Sequence, residues 1–546
     1  MLQFTTSIYF LFLYIFLLKK AHPLSCGQNH FKQSELKILE ESDEIISNIS
    51  ESSFVKPRSK IRHLSTKEFT PIRIYIDYAT LDSQVTVSED FRNKIKQILE
   101  LSKSSFESLL LVQRFKDKMK LLECGNSILI ISDKVKNEGV EADLIIFPFI
   151  DTSYQGNVYE AYASPCILAG DTRRPVAGYI GFTKVLKLER ENWLHYYTTL
   201  AMHELTHCLV FSPNLFPFFF NQRELYGISN IIKTVTINGK KRSLLSTPKV
   251  VQAAKVHFNC DSVEGVELEN QGSDGTSGSH WEAREMLTDY MMGASYDEMS
   301  ISEITLALFE DSGWYKVNYY TGGLFRFGKN EGCSFLYSKC LTNEKTNFPN
   351  EFCDTNYQPF CTNGRLSKGI CYYTDYEKKI TKEFQYFSNE KRGGLVLADY
   401  CPVSQVPSDK KMLFNWNCAM GKSTYPIDLG ETVSESSICF ISSLRLKKSL
   451  LSRSYSKKRA ICHQYECDYN NKIVYVKING NKYPCKLRNG QYVVSNILGY
   501  EGSLECPEFN NVCTNDIQCF DMIDCISKKS LPRMDSFDYY KTHWYN

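Results

Sequence analysis

At 546 residues the chain is long enough for two to four domains, and 64 Lys and Arg stand against 62 Asp and Glu, a formal net charge of +2. That balance, with no long basic run, argues against a dedicated nucleic-acid binder. Cysteine is abundant: 15 of the 20 follow Cys260, a density expected of chains folded in an oxidising compartment.

In chain order, "MLQFTTSIYFLFLYIFLLKKAHPLSC" carries an apolar run from Ile8 to Leu18. The run is short for a membrane span, so residues 1–25 read as a secretory signal peptide, with an uncleaved anchor as the alternative. Residues 26–68 are polar and end in the basic "KPRSKIRHLSTKE", the pattern of a pro-segment; they include the sequon Asn48-Ile49-Ser50. Order is expected from "TPIRIYIDYATL", where Ile72, Ile74 and Ile76 alternate as in a strand. A charged helical pattern runs from about Glu89 to Lys120, and "NSILIISDKV" and "EADLIIFPFI" predict two buried strands of an α/β layer. A helix is expected from Tyr196 to Phe211. "LFPFFF", residues 215–220, reads as core, or else as the lining of an apolar pocket. After Cys333 helical periodicity fades and cysteines recur at short intervals, predicting a disulfide-held region of strands and loops. No later stretch reaches the ~20 apolar residues of a membrane helix. The terminal "DSFDYYKTHWYN" lacks the hydrophobic tail of a lipid-anchor signal.

The chemistry is concentrated in "LAMHELTHCLVF", residues 200–211. On a helix, positions i and i+4 share a face, so His203 and His207 can present two imidazoles to one metal ion. Glu204 can reach a metal-held water without coordinating the metal itself, the arrangement of zinc-dependent peptidases. There the zinc acidifies the water, Glu204 takes its proton, and the same side chain can then donate to the leaving amine. Such a site needs a third ligand. The compact continuation H-E-x-x-H-x-x-G-x-x-H fails here, since Val210 and Pro213 occupy the glycine and third-histidine positions. Of the remaining histidines, His257 and His280 are the candidates. His257 lies in the apolar-periodic "AAKVHFNC" and suits a core histidine. His280 lies in "GSDGTSGSHWEAREMLTDYMMGAS", where glycines and serines allow a sharp approach.

These residues carry a resemblance. "SGSHWEAREMLTDYMMGA" is similar to the third-ligand and methionine-turn segment of the leishmanolysin (invadolysin-like) family of zinc metalloproteases. That family separates the helix motif from its third histidine by a long insertion, and here 72 residues intervene. The likeness extends through "PVAGYIGFTK", "FSPNLFPFF", "LALFEDSGWYKVNY", "GKNEGCSF", "FQYFSNEKRGG", "ADYCPV" and "CPEFNNVC", over approximately residues 70–513. It implies His203, His207 and His280 as ligands of one Zn2+ per chain and Glu204 as general base. It also implies Met291 as the methionine beneath the metal, or Met292 if the turn is shifted by one. The family has glycine where this chain has Val210, a position where the helix ends. Val210 therefore implies either a different helix exit or local strain.

The resemblance further implies a pro-segment cysteine that masks the zinc. Cys26 is the only candidate, as a switch or as a stray thiol. Cys208 reads as an unpaired, buried residue. The family's pairing implies the bridges 124–166, 260–333, 340–401, 353–371, 361–439, 418–462, 467–513, 485–506 and 519–525. Together these readings imply an α+β multidomain protein: a zincin- or metzincin-like catalytic domain with a long active-site helix, then a disulfide-rich, mainly β and loop C-terminal domain. The expected boundaries are 1–25 signal peptide, 26–68 pro-segment, 69–212 N-terminal catalytic subdomain, 213–320 central subdomain with the third ligand, 321–526 cysteine-rich domain and 527–546 tail. The expected function is a secreted zinc endopeptidase, a monomeric zymogen acting on proteins or peptides. It would work outside the cell or in a secretory lumen, or peripherally at the cell surface. The alternative is a catalytically weakened scaffold serving binding or cell adhesion.

Overall fold

A computed structural model describes residues 37–39 and 68–527, apart from 155–158, 191–192, 222–223, 226, 273–275, 295–297, 320–324, 407–415, 420–428, 448–457, 489 and 514–521. The expected signal peptide, the sequon, Cys26 and the tail lie outside the described residues. The chain divides into two compact units, one built from residues up to 294 with 299–325 and 522–527, the other from Glu298 and 326–513.

The first unit is organised by a five-stranded sheet of β1 (Lys37–Leu39), β2 (Ile74–Ile76), β3 (Leu144–Asp151), β4 (Ala161–Ala169) and β5 (Pro175–Thr183), in the order β1-β4-β5-β3-β2. Strands β2, β3 and β5 run parallel, and β4 is antiparallel to β5. β1, inside the expected pro-segment, adds to the outer edge of β4 in parallel, Lys37 to Leu39 opposite Ile167 to Ala169. Every residue of β5 and nearly all of β3 is buried, as unbroken apolar runs are when both faces of a sheet are covered.

Helix α1 (Glu89–Leu109) starts at Ser88, whose hydroxyl accepts from Phe91 N, with Glu89 and Asp90 favourably placed in its first turn. It buries Ile95, Ile98, Leu99, Ser102 and Phe106, the spacing of one helical face. The helix does not continue to Lys120. Leu110–Gln113 leaves it as a strand between Phe69–Pro71 and Tyr315–Val317, because ladder partners are available to the apolar "LLVQ" there. "EADLIIFPFI" forms the expected strand β3, but "NSILIISDKV" does not form one. Ile128 and Ile130 are 51% and 49% exposed, and residues 126–132 form a loop tied by hydrogen bonds between Ile130 and the Thr80 hydroxyl, leading into a helical turn at Lys134–Glu138. Short apolar runs do not reveal by periodicity alone whether a sheet accepts them.

Helix α2 (Trp193–Leu209) packs on α1, β4 and β5, and every residue from Tyr197 to Leu209 is buried. It lies close to the sheet. A Cβ on Gly178 of β5 would stand 2.9 Å from Cys208 Sγ and 2.9 Å from the Ser164 carbonyl oxygen. Cys208 is free and buried, and burial holds its thiol well above the usual range. "LFPFFF" is core at Leu215, Phe216 and Phe219.

The second unit is rich in disulfides and short strands. Its largest sheet joins β6 (Ser437–Ser442), β7 (Arg459–Asp468), β8 (Ile473–Ile478), β9 (Asn481–Pro484), β10 (Lys486–Arg488), β11 (Gln491–Ser495) and β12 (Ser503–Glu505) in the order β9-β8-β7-β6-β12-β11-β10. The two edge strands, β9 and β10, are separated by Cys485 alone, so the sheet curls into a near-barrel. Among the described residues the bridges 124–166, 340–401, 353–371, 361–439, 418–462, 467–513 and 485–506 match the family pairing. Cys260 and Cys333 are also disulfide-bonded, and Cys519 lies outside the described residues.

Candidate metal centre

Three imidazoles converge in the first unit. Nε2 of His203 lies 3.1 Å from Nε2 of His207 and 3.1 Å from Nε2 of His280, and the latter two are 3.2 Å apart. The rings of His203 and His280 are stacked, and His207 stands nearly perpendicular to both. All three side chains are buried, with His203 only 4% exposed. His257, the other candidate, is buried in the helix Pro248–Phe258 against the rings of Phe258 and Phe325, and takes no part in the cluster.

The opposite ring nitrogens face backbone carbonyls. Nδ1 of His203 is 2.5 Å from the Tyr290 oxygen, that of His207 2.8 Å from the Phe211 oxygen, and that of His280 2.8 Å from the Thr276 oxygen. A carbonyl can only accept, so each Nδ1 carries the proton and each Nε2 turns a lone pair inward. Burial first, and neighbouring imidazoles second, push His280 down to about 3 and His207 well below its usual value; burial brings His203 to about 4. Neutral at ordinary pH, the three offer lone pairs to one point with no proton between them. That is unfavourable unless a cation takes them up. The spacing suits zinc, since nitrogens ~2.0–2.1 Å from a tetrahedral Zn2+ stand ~3.3 Å from one another. Carbonyl support of the outer nitrogen is the usual way a protein fixes the tautomer of such ligands.

The elements explain the convergence. His203 and His207 share a face of α2, and the helix leaves by an unusual route. Val210 N and Phe211 N both donate to Thr206 O, at 2.8 and 2.9 Å. Val210 is buried and is not among the residues with positive φ. Of the two alternatives for Val210 the different exit holds, with no left-handed backbone. This exit delivers the Phe211 carbonyl to His207. His280 comes from a segment fastened elsewhere: Glu282 and Glu285 meet Lys240 and Arg242 of the hairpin Ile232–Leu245, Glu282 at 3.6 Å from Lys240 and Glu285 at 3.0 Å from Arg242. Trp281 N donates to Met291 O at 3.1 Å, so the third-ligand segment and the methionine segment run side by side. Met291 and Met292 are both fully buried there, and Glu204 is fully buried on α2.

Sequence reasoning missed Tyr290, Thr276 and Phe211, because a carbonyl acceptor leaves no residue-type signature. It also missed Asp289 and Gly293. Asp289 had a faint signal, a lone acid in "MLTDYMMGA". A Cβ on Gly293 would collide with the Thr276 methyl, beside His280.

The family model described as leishmanolysin, peptidase M8, matches residues 83–519. Among curated relatives, a leishmanolysin homolog of Crithidia fasciculata is 29% identical over 66% of this chain and 53% of its own length. A leishmanolysin-like peptidase of Caenorhabditis elegans is 29% identical over 72% of this chain and 69% of its own. The leishmanolysin of Leishmania donovani is 27% identical over 75% and 68% respectively. The chain thus spans about half of the Crithidia relative and about two thirds of the other two.

Proposed function

Because this chain belongs to the leishmanolysin family, we propose that it is a secreted zinc endopeptidase that hydrolyses protein or peptide bonds with a metzincin-like catalytic domain. The observation that carries this reading is the trio of neutral, buried imidazoles whose Nε2 atoms lie 3.1 to 3.2 Å apart. His203, His207 and His280 would hold one Zn2+. When bound, the metal supplies a Lewis acid that acidifies water and polarises the scissile carbonyl.

The chain's own residues do the rest. The Tyr290, Phe211 and Thr276 carbonyls keep the three Nε2 lone pairs aimed inward. Glu204 takes the proton of the attacking water and returns it to the leaving amine; such proton transfer contributes about 10²–10⁴-fold. Met291 forms the floor of the site. Residues 69–212 and 213–320 would be the two parts of the catalytic domain, followed by the cysteine-rich domain at 321–526.

The bridges favour an extracellular or secretory-lumen location. Among the described residues no helix is long and apolar enough to cross a membrane. Synthesis as a zymogen is supported by β1, which lies within the expected pro-segment and covers part of the β4 edge.

The test is expression in an oxidising host, removal of the pro-segment, and a casein cleavage assay. Chelator-sensitive cleavage that falls ~10²–10⁴-fold in Glu204→Ala while zinc is retained supports the enzyme. Stoichiometric zinc without turnover on any protein would overturn it.

A further inference from the structure

Asp289 is fully buried two positions before Met291. Its Oδ1 accepts from Met291 N at 2.7 Å, and its Oδ2 accepts from Ser302 N at 3.1 Å and from the Thr305 hydroxyl at 2.8 Å. The same Thr305 oxygen accepts from the indole Nε1 of Trp281 at 2.8 Å. A threonine hydroxyl has one proton to give, and the indole can only donate. The direction of the chain is therefore determined: Trp281 to Thr305 to Asp289. The carboxylate at its end also accepts from the Met291 and Ser302 N–H groups.

Two of these connections lead toward imidazoles, one toward His280 and one toward His203. Trp281 follows His280 directly, and it is held twice, by its indole on Thr305 and by its backbone N–H on Met291 O. Tyr290, between Asp289 and Met291, gives its carbonyl to His203 Nδ1 and its hydroxyl to Thr206 of α2, at 2.8 Å. The Asp289 carboxylate thus fastens the turn that orients His203 and the indole beside His280. Ser302 and Thr305 belong to α3 (Glu303–Asp311) and its N-cap, so the turn is braced against a helix outside the histidine segments.

We propose that Asp289, acting through Thr305 and Trp281, is a positioning residue that sets the aim of His280 and His203. It deepens the zinc-peptidase reading and rests on it. Asp289 touches neither the imidazoles nor the reacting atoms. Its effect passes through the carbonyl of Tyr290 and the placement of Trp281. Outer partners of this kind typically change metal affinity or activity by 10–100-fold. Asparagine at 289 keeps the shape but would place an amide NH2 against a donor. Valine at 305 keeps the shape and removes the link between indole and carboxylate. Serine at 305 preserves the hydroxyl.

The experiment compares the full chain with its Asp289→Asn, Thr305→Val and Thr305→Ser variants. Zinc loss to a chelator is followed, the visible spectrum of the cobalt(II)-substituted proteins is recorded, and thermal unfolding is measured alongside. The expected result is zinc release ~10–100-fold faster in Asp289→Asn and Thr305→Val with an altered cobalt spectrum, and recovery of both in Thr305→Ser. Should Asp289→Asn not fold, Thr305→Val and Thr305→Ser decide the matter alone. Folded variants that release zinc at the parent rate with an unchanged spectrum would overturn the proposal even if their melting temperatures fall. A parent chain that binds neither zinc nor cobalt would overturn the peptidase reading and this inference together; a parent that binds them separates the two.

Discussion

Nε2 of His280 lies 3.1 Å from Nε2 of His203, across 77 positions of sequence. The expected outcome of His280→Ala follows from that distance. Two imidazoles remain on α2, and their residual affinity is that of a two-nitrogen site. Zinc should be lost by more than the ~10–100-fold typical of a changed outer partner, while the disulfide-held fold persists. Metal titration with thermal unfolding of the same samples checks both halves.

Gly293 is a second point of leverage. A methyl group there would meet the Thr276 methyl, and Thr276 supplies the carbonyl that holds His280 Nδ1. Because the threonine side chain is stiff at χ1, its backbone must give way. Gly293→Ala should weaken zinc retention by about 10-fold or more, measured as the rate of zinc transfer to a chelator.

Val210→Gly asks whether the residue at the helix exit limits the protein. Val210 is buried without positive φ, and its N–H donates to Thr206 O. Glycine would remove a buried side chain and loosen the exit, costing about 2–4 kcal/mol. Denaturant unfolding should show that loss, and casein turnover should not rise.

The second unit should be acid-sensitive through His463. This imidazole is fully buried on β7 beside Phe440, and burial lowers its pKa from 6.5 to about 4. Between those values the unfolded chain binds a proton that the folded chain refuses. Its contribution is therefore complete above about pH 6.5 and lost as pH falls toward 4, about 3 kcal/mol by linkage. Urea midpoints across that range should decline less steeply in His463→Leu than in the parent chain.

The legible part of the site was the local part. His203, Glu204 and His207 share one helix, so their spacing alone implied a common face, whereas His280 is joined to them only by the fold. Its Gly- and Ser-rich surroundings only favoured it over His257, whose apolar-periodic stretch suits a core histidine; family resemblance supplied the assignment. The carbonyls of Tyr290, Phe211 and Thr276 could not be read in advance, since any residue has one. In the fold, "EADLIIFPFI" became strand β3, where both faces could be covered, but "NSILIISDKV", with a shorter apolar run, became a loop leading into a helical turn. The α1 pattern was read too far because "LLVQ" fits a helix as well as a strand, and only ladder partners distant in sequence decide between them.

The most direct measurement is crystallographic: anomalous diffraction at the zinc absorption edge from crystals of the full chain grown with zinc. The expected result is one strong peak ~2.0–2.1 Å from Nε2 of His203, His207 and His280. The absence of a peak there, with the three imidazoles still facing one another, would contradict the assignment of a zinc site and the peptidase reading built on it.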